Sequence, residues 1–343
     1  MITVIAALLT LQGQTFPDLE AQIRKGDTFK KIGSVVVSKH GKVVYERYFE
    51  GDGQTLRDTR SATKTITSAL VGIAIRDRKL AGVNTRVLDV LPARAHRVQN
   101  ADPRKAKITV EDFLTMSSAL ECDDWNDASR GNEERMYIVE DWAQFILDLP
   151  MRGRMRVGEA VVPPPYGRAF SYCTGGVFVL SEVLAAATKS RTDRFAKERL
   201  FTPLGISSAE WVYSPLNVPQ TGGGLRLSSL SLMKIGQLYL DGGVWEGKRI
   251  LDESWVKAST VPHARIDDST EYGYLWWLKA WETGGKKYPS FHMTGNGGNK
   301  VVVVPSLDAV IVITSTNYNT RGMHEQTDQI LTGYVLPALA TLE

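Results

Sequence analysis

Cysteine is scarce in this chain. Only Cys122 and Cys173 occur among 343 residues, and they form no Cys-x-x-Cys pair. The histidines are few as well: His40, His96, His263, His292 and His324 are scattered, and His324-Glu325 lacks the second histidine of a zinc-protease helix. Metal-ligand spacing is therefore absent, and no metal is expected. A Lys/Arg-rich run is also missing. Lysine and arginine total 41 against 38 acidic residues, a net charge of +3, so no nucleic-acid partner is expected. No apolar stretch approaches the roughly 20 residues that span a bilayer. There is no Gly-x-Ser-x-Gly elbow. The segment from Gly242 to Lys248 has phosphate-loop spacing, but Arg249 stands where Ser or Thr must hold magnesium, so it reads as a hairpin turn.

With 43% hydrophobic residues and no repeat or low-complexity tract, the chain has ordinary globular composition and enough length for a sizeable core. The apolar segment from Ile2 to Leu11 has the length of a signal-peptide core. No Lys or Arg precedes it, and Leu11-Gln12-Gly13 makes a poor cleavage site. Its alternative is a packed N-terminal helix. Because it is apolar on every face, residues 1–15 are read as a signal or anchor segment, and a periplasmic or secreted location is expected over a cytoplasmic one. The two cysteines would then be free to bond; in a reducing cytosol they would be buried thiols.

Strand signals sit at both ends of the chain. Ser34 to Ser38 and Lys42 to Phe49 flank His40-Gly41 as a hairpin. Tyr272 to Trp277, Ser290 to Thr294, Lys300 to Val304 and Ala309 to Ser315 are expected strands, and His324 to Leu342 a closing helix. Between them the signals are mostly helical: Ser61 to Ile75, Val110 to Met116 behind Thr109 as N-cap, Ile138 to Leu149, and Thr174 to Thr188. Pro163 to Pro165 reads as an exposed loop. The expectation is an α+β fold: one antiparallel sheet built from both termini and flanked by helices, with a helical subdomain inserted. Residues 16–343 form a single domain, with 16–79 and 221–343 as the sheet–helix part and 80–220 as the helical part.

Ser-x-x-Lys occurs three times, as Ser61/Lys64, Ser231/Lys234 and Ser254/Lys257. Lys257 follows Glu253 at i+4, a solvated ion pair, and Lys234 lies on a wet stripe with Ser231, Gln237 and Asp241. Lys64 differs, being the only charged residue from Ser61 to Ile75. On a helix apolar on nearly all sides, a lysine must find partners or lose its proton. At i and i+3 its amine reaches the serine hydroxyl, as a Ser/Lys nucleophile requires. Lowering a lysine pKa from about 10.4 to about 7 takes roughly 4 to 5 kcal/mol, which burial can supply. Context alone leaves open a second reading, a buried lysine neutralised by a carboxylate.

Three segments in order carry a resemblance. They are Asp58-Thr-Arg-Ser-Ala-Thr-Lys64 before its apolar helix, Phe170-Ser-Tyr-Cys-Thr-Gly-Gly176, and Phe291-His-Met-Thr-Gly-Asn-Gly-Gly-Asn299. Supporting stretches are Leu114 to Ser118, Gly222 to Leu227 and Val304-Pro305. The chain resembles the serine β-lactamase and penicillin-binding protein superfamily from about residue 30 onward. Its nearest branch is the class C-like one of β-lactamase-like esterases, D-aminopeptidases and 6-aminohexanoate-dimer hydrolases. The resemblance implies Ser61 as nucleophile, Lys64 and Tyr172 as shared general base, and backbone N–H groups of Ser61 and Asn296 as an oxyanion hole. Thr294, Gly295, Thr174 and His292 are the further substrate-binding candidates, although His292 is more simply a packed or exposed strand residue. No cofactor is implied.

The departures carry information too. Met293 replaces the family's frequent lysine, and Thr174 replaces an amide-binding asparagine. Both point away from carboxylate-bearing β-lactams and toward small esters or linear amides of the amino-acid-oligomer type. The alternatives are a weak β-lactamase or D-amino-acid peptidase, and a non-catalytic ligand-capturing sensor of the same fold. The partner expected is a small-molecule ester or amide. Trp276 and Trp277 are candidates for an apolar substrate wall, with at least one of them core.

Overall fold

A computed structural model describes residues 16–153 and 164–342. The segment from Ile2 to Leu11 and Pro163 lie outside the described residues. Helix α1 (Phe16–Lys25) leads into strands β1 (Ile32–Lys39) and β2 (Lys42–Tyr48). His40 and Gly41 both have positive φ, 52° and 69°, the backbone that a two-residue hairpin needs to match strand twist. Helices α2 (Thr63–Arg76), α3 (Thr174–Thr188) and α4 (Ser229–Leu240) follow. Then come β3 (Ala264–Arg265), β4 (Thr270–Tyr272), β5 (Trp277–Thr283), β6 (Lys286–Gly295), β7 (Asn299–Val304) and β8 (Ala309–Ser315), and helix α5 (Met323–Ile330), continued by further turns to Thr341.

The eight strands form one antiparallel sheet in the order β2-β1-β8-β7-β6-β5-β4-β3. Strands from the two ends of the chain meet inside the sheet, where β1 pairs with β8 as its second and third strands. The central strands read as continuous valine and isoleucine runs because both faces are covered. Val36, Val301, Val303, Val310 and Val312 turn to the main core, shared with α2, α3 and α4. The alternate residues Val35, Val37, Val302, Ile311 and Ile313 pack with Leu19 and Ile23 of α1 and Leu336 and Leu339 of the C-terminal helix. This is period-2 alternation between two apolar layers.

Three expectations need adjustment. Tyr272 to Trp277 is a corner between β4 and β5: Leu275 adopts φ 61°, and Tyr272 and Trp277 end up as cross-strand partners. The helix expected from Ile138 begins at Trp142, because the Asp141 side chain accepts from Gln144 N and caps it there. Helix α2 begins two residues after Ser61, which sits in the preceding 3₁₀ turn, Arg60–Ala62. The Thr109 cap is present, completed by Asp112 as a capping box. Gly242 to Lys248 contributes to a hairpin pairing Val244–Trp245 with Lys248–Arg249.

Cys122 and Cys173 are joined in a disulfide with a Cα–Cα distance of 5.4 Å, closing 51 positions of chain. A loop of that length is expected to contribute about 4 kcal/mol by restricting the unfolded chain. Replacing both cysteines by alanine should lower the urea-unfolding free energy by that order. Reductant should bring the wild type down to the double variant and leave the variant itself unmoved.

Candidate active site

Lys64 is the one charged side chain among residues Thr63 to Ala74 of α2, all of which are buried. It is 1% exposed. Its Nζ donates to Ser61 Oγ at 2.8 Å and to the carbonyl of Gly222 at 2.5 Å, and it lies 4.9 Å from the centre of the Tyr172 ring. No carboxylate among the described residues ion-pairs with it, so the neutralised-lysine reading is not the arrangement found. By contrast, Lys257 pairs with Glu253 at 2.7 Å on the surface, and Lys234 donates to Gly205 O.

Strand β6 ends against the Ser61 turn. A Cβ on Gly295 would lie 1.9 Å from Thr59 O and 3.1 Å from Ser61 N, so only glycine lets the strand approach the nucleophile this closely. The next residue, Asn296, is fixed by side-chain bonds. Asn319 N donates to its Oδ1 at 2.8 Å, and Asn299 Nδ2 donates to its carbonyl at 2.8 Å. On the other side Arg60 holds φ 51° immediately before Ser61. Its backbone N–H donates to Asp58 Oδ1 at 3.1 Å, which keeps the turn in a conformation that non-glycine residues rarely adopt.

Ser61, Tyr172, Thr294, Gly295 and Asn296 line one cavity of about 490 Å³, a size suited to a small molecule. Lys64 lies beneath its floor. Tyr172 stacks on Trp125 with centroids 5.3 Å apart and planes 5° from parallel, and Trp277 stands 5.9 Å from it. Trp276 is fully buried core, whereas Trp277 lines the cavity. Two candidates do not reach it. Thr174 is 1% exposed at the start of α3, where its backbone N–H donates to Asp124 Oδ2 at 2.6 Å. His292 is buried beside Trp277 and Trp281. Met293 is fully buried in the main core.

Sequence reasoning passed over the charge of this cavity. Asp124, Asp127, Glu133 and Glu134 line it, with no lysine or arginine among the described lining residues. Arg226 lines a separate cleft with Asp58 and Arg60. Among the described residues no three His, Cys, Asp or Glu side chains converge as metal ligands. Burial pushes the Asp124 carboxyl up to about 6, helped by Glu133 and opposed by Lys64. The disulfide joins the loop bearing Asp124 and Trp125 to the one bearing Tyr172, and Asp124 N donates to Tyr172 O at 2.8 Å. The segment Cys122-Asp-Asp-Trp125 was the available signal. His324, remarkable in sequence only for lacking a zinc-site partner, also lines the cavity.

The sequence profile described as Beta-lactamase matches residues 30–333. The chain is 24% identical over 340 residues to the 6-aminohexanoate-dimer hydrolase of Paenarthrobacter ureafaciens, covering 90% of this chain and 78% of that one. Among solved structures it resembles a putative 6-aminohexanoate-dimer hydrolase from Bacillus anthracis, with TM-score 0.66, 20% identity and coverage of 91% and 82%. It also resembles EstCE1, a hydrolase with promiscuous acyltransferase activity, with TM-score 0.68, 13% identity and coverage of 90% and 97%.

Proposed function

The chain belongs to the beta-lactamase family, and from that premise we propose that it is a serine hydrolase cleaving small esters or linear amides that carry an ammonium group. The observation that carries the chemistry is the 2.8 Å contact between buried Lys64 Nζ and Ser61 Oγ at the cavity floor. In this reading Ser61 Oγ attacks the substrate carbonyl carbon while Lys64 Nζ takes the hydroxyl proton. Tyr172 shares that proton path and passes the proton to the leaving group. Backbone N–H groups of Ser61 and Asn296 receive the developing oxyanion. The C–O or C–N bond breaks, leaving an acyl ester on Ser61, and a water activated by the same base releases the acid. The four carboxylates and the Trp125–Tyr172–Trp277 rings supply the ammonium preference, through charge and ring faces. The disulfide supports a periplasmic or secreted location.

The test is a set of matched p-nitrophenyl esters, one ending in an ammonium, one neutral and one in a carboxylate. The ammonium ester is expected to have the highest kcat/KM, by about tenfold over the neutral one, with the advantage shrinking as salt rises. A preference for the carboxylate ester would overturn the substrate assignment. The ratio of ammonium to neutral ester should also depend on pH. Asp124 is charged above its value of about 6 and neutral below it, so the ratio should rise as pH passes upward through about 6. Taking a ratio cancels any pH effect common to both esters. A ratio flat across this range would remove Asp124 from substrate binding.

A further inference from the structure

The start of helix α5 forms one wall of the cavity, where Met323 and His324 face it. His324 Nδ1 lies 3.3 Å from Lys300 Nζ. Lys300, on β7, is 4% exposed, and its Nζ sits 2.9 Å from Asp328 Oδ1, one turn along α5. That contact is an ion pair without hydrogen-bond angles, since Asp328 Oδ1 has no hydrogen-bond donor aligned on it. Burial lowers the Lys300 amine from its ordinary value and Asp328 opposes this; ion-paired as the ammonium it offers only donors, so the ring nitrogen facing it is the acceptor. A neutral imidazole accepting at Nδ1 carries its proton on Nε2. Nε2 has no protein partner among the described residues and is not one of the buried unpaired polar atoms. The ring nitrogen left without a protein partner is therefore an N–H.

The charged surroundings keep that state. Burial first, then Lys300, holds the His324 imidazole down to about 4, against the opposing pull of Asp328 and Glu325. His292, the other buried histidine nearby, is held well below its ordinary value by burial and by Lys300, Lys279 and His324. His324 is thus neutral at ordinary pH, a fixed donor in a cavity otherwise rich in carboxylates.

We propose that His324 is a specificity-determining residue whose Nε2–H donates to a neutral carbonyl oxygen of a linear amide or ester substrate, with Lys300 and Asp328 as positioning residues that set its tautomer. The proposal rests on the hydrolase reading and sharpens it. Carboxylates take an ammonium, and a neutral donor takes an amide carbonyl without bringing a positive charge into the cavity. Together they read a linear molecule bearing an amine and a second carbonyl.

Two measurements on the full chain test it. In the wild type, side-chain ¹⁵N NMR should show His324 as the neutral Nε2–H tautomer from about pH 5.5 to about pH 8. In the Ser61→Ala background, calorimetry with an amidated linear dimer of an ω-amino acid gives affinity without turnover. Adding His324→Asn should weaken binding by about tenfold, because asparagine keeps an acceptor for Lys300 but its amide falls short of the Nε2 position. His324→Gln, whose longer amide reaches that position, should recover most of the loss. An Nδ1–H tautomer, an imidazolium at neutral pH, unchanged affinity in His324→Asn or no affinity of Ser61→Ala for the dimer would each overturn the proposal. The NMR result does not depend on how the variants fold. The hydrolase reading fails separately, if the wild type gives no p-nitrophenol burst from p-nitrophenyl butyrate.

Discussion

Replacing Ser61 by alanine should lower turnover by at least about 10⁴-fold and abolish the p-nitrophenol burst, with the fold intact. The substitution removes one oxygen from a 3₁₀ turn whose geometry is set by Asp58, Arg60 and the close approach of Gly295, so the turn should keep its shape. Intact-mass spectrometry after brief exposure to an ester or a fluorescent penicillin should find the acyl adduct on the wild type and none on the variant. Ser231→Ala and Ser254→Ala serve as controls. Ser231 bonds to its own helix cap, Ser228, and Ser254 is exposed on the helix Glu253–Ser259; both variants should stay within about twofold of wild type. Turnover near the wild-type level in Ser61→Ala would end the acyl-enzyme mechanism. Stable labelling without turnover in the wild type would instead indicate a ligand-capturing sensor.

Tyr172→Phe and Lys64→Met should each lower kcat by about 10²-fold or more, the usual size of a general acid–base contribution. The phenylalanine variant is the cleaner of the two. The Tyr172 hydroxyl makes no hydrogen bond among the described residues, while its ring stacks on Trp125, and phenylalanine keeps that stack. Its unfolding midpoint should therefore hardly move, which assigns any lost activity to the missing oxygen. Methionine at position 64 fills the volume of the buried lysine stem but leaves the Gly222 carbonyl without its donor, so a stability loss of about 1–3 kcal/mol should accompany the loss of rate. Because both side chains serve one proton path, the double variant should be little worse than the worse single variant. Effects that multiply would mean that the two act in separate steps.

The Ser61–Lys64 pair was legible because its physics is local. Two residues three apart across a 3₁₀ turn and the first turn of an apolar helix meet through local geometry, and a lone charge among apolar neighbours advertises itself. The sheet was legible for a similar reason, since unbroken Val/Ile runs such as 301–304 and 309–313 have few other uses. What escaped was decided between distant segments. Thr174 and His292 lie in the right motifs, yet their side chains turn away from the cavity, and a motif does not state its rotamers. The acidic character of the cavity comes from a loop packed on Tyr172 through the disulfide, so no spacing rule links Asp124 to Ser61. His324 gained its place from the packing of α5 over Lys300, some distance along the chain from the nucleophile.

The pairing of the early strand β1 with the late strand β8 also sets an order of events during synthesis. Ser34 Oγ bonds Thr314 Oγ1 across 280 positions of sequence, and β1 gains its second neighbour only through β8. The β1–β2 hairpin leaves the ribosome long before that partner exists, and an isolated hairpin is marginal in water. The nucleophile turn waits as well, because Gly295 and Asn296 belong to a strand made near the end. The early chain must therefore be carried through most of translation with apolar strands unpaired, a condition that favours aggregation and slow, non-local closure. Reactivity at Ser61 would then appear late, after the C-terminal strands have joined the sheet, so the protein would be assembled before it is able to acylate itself.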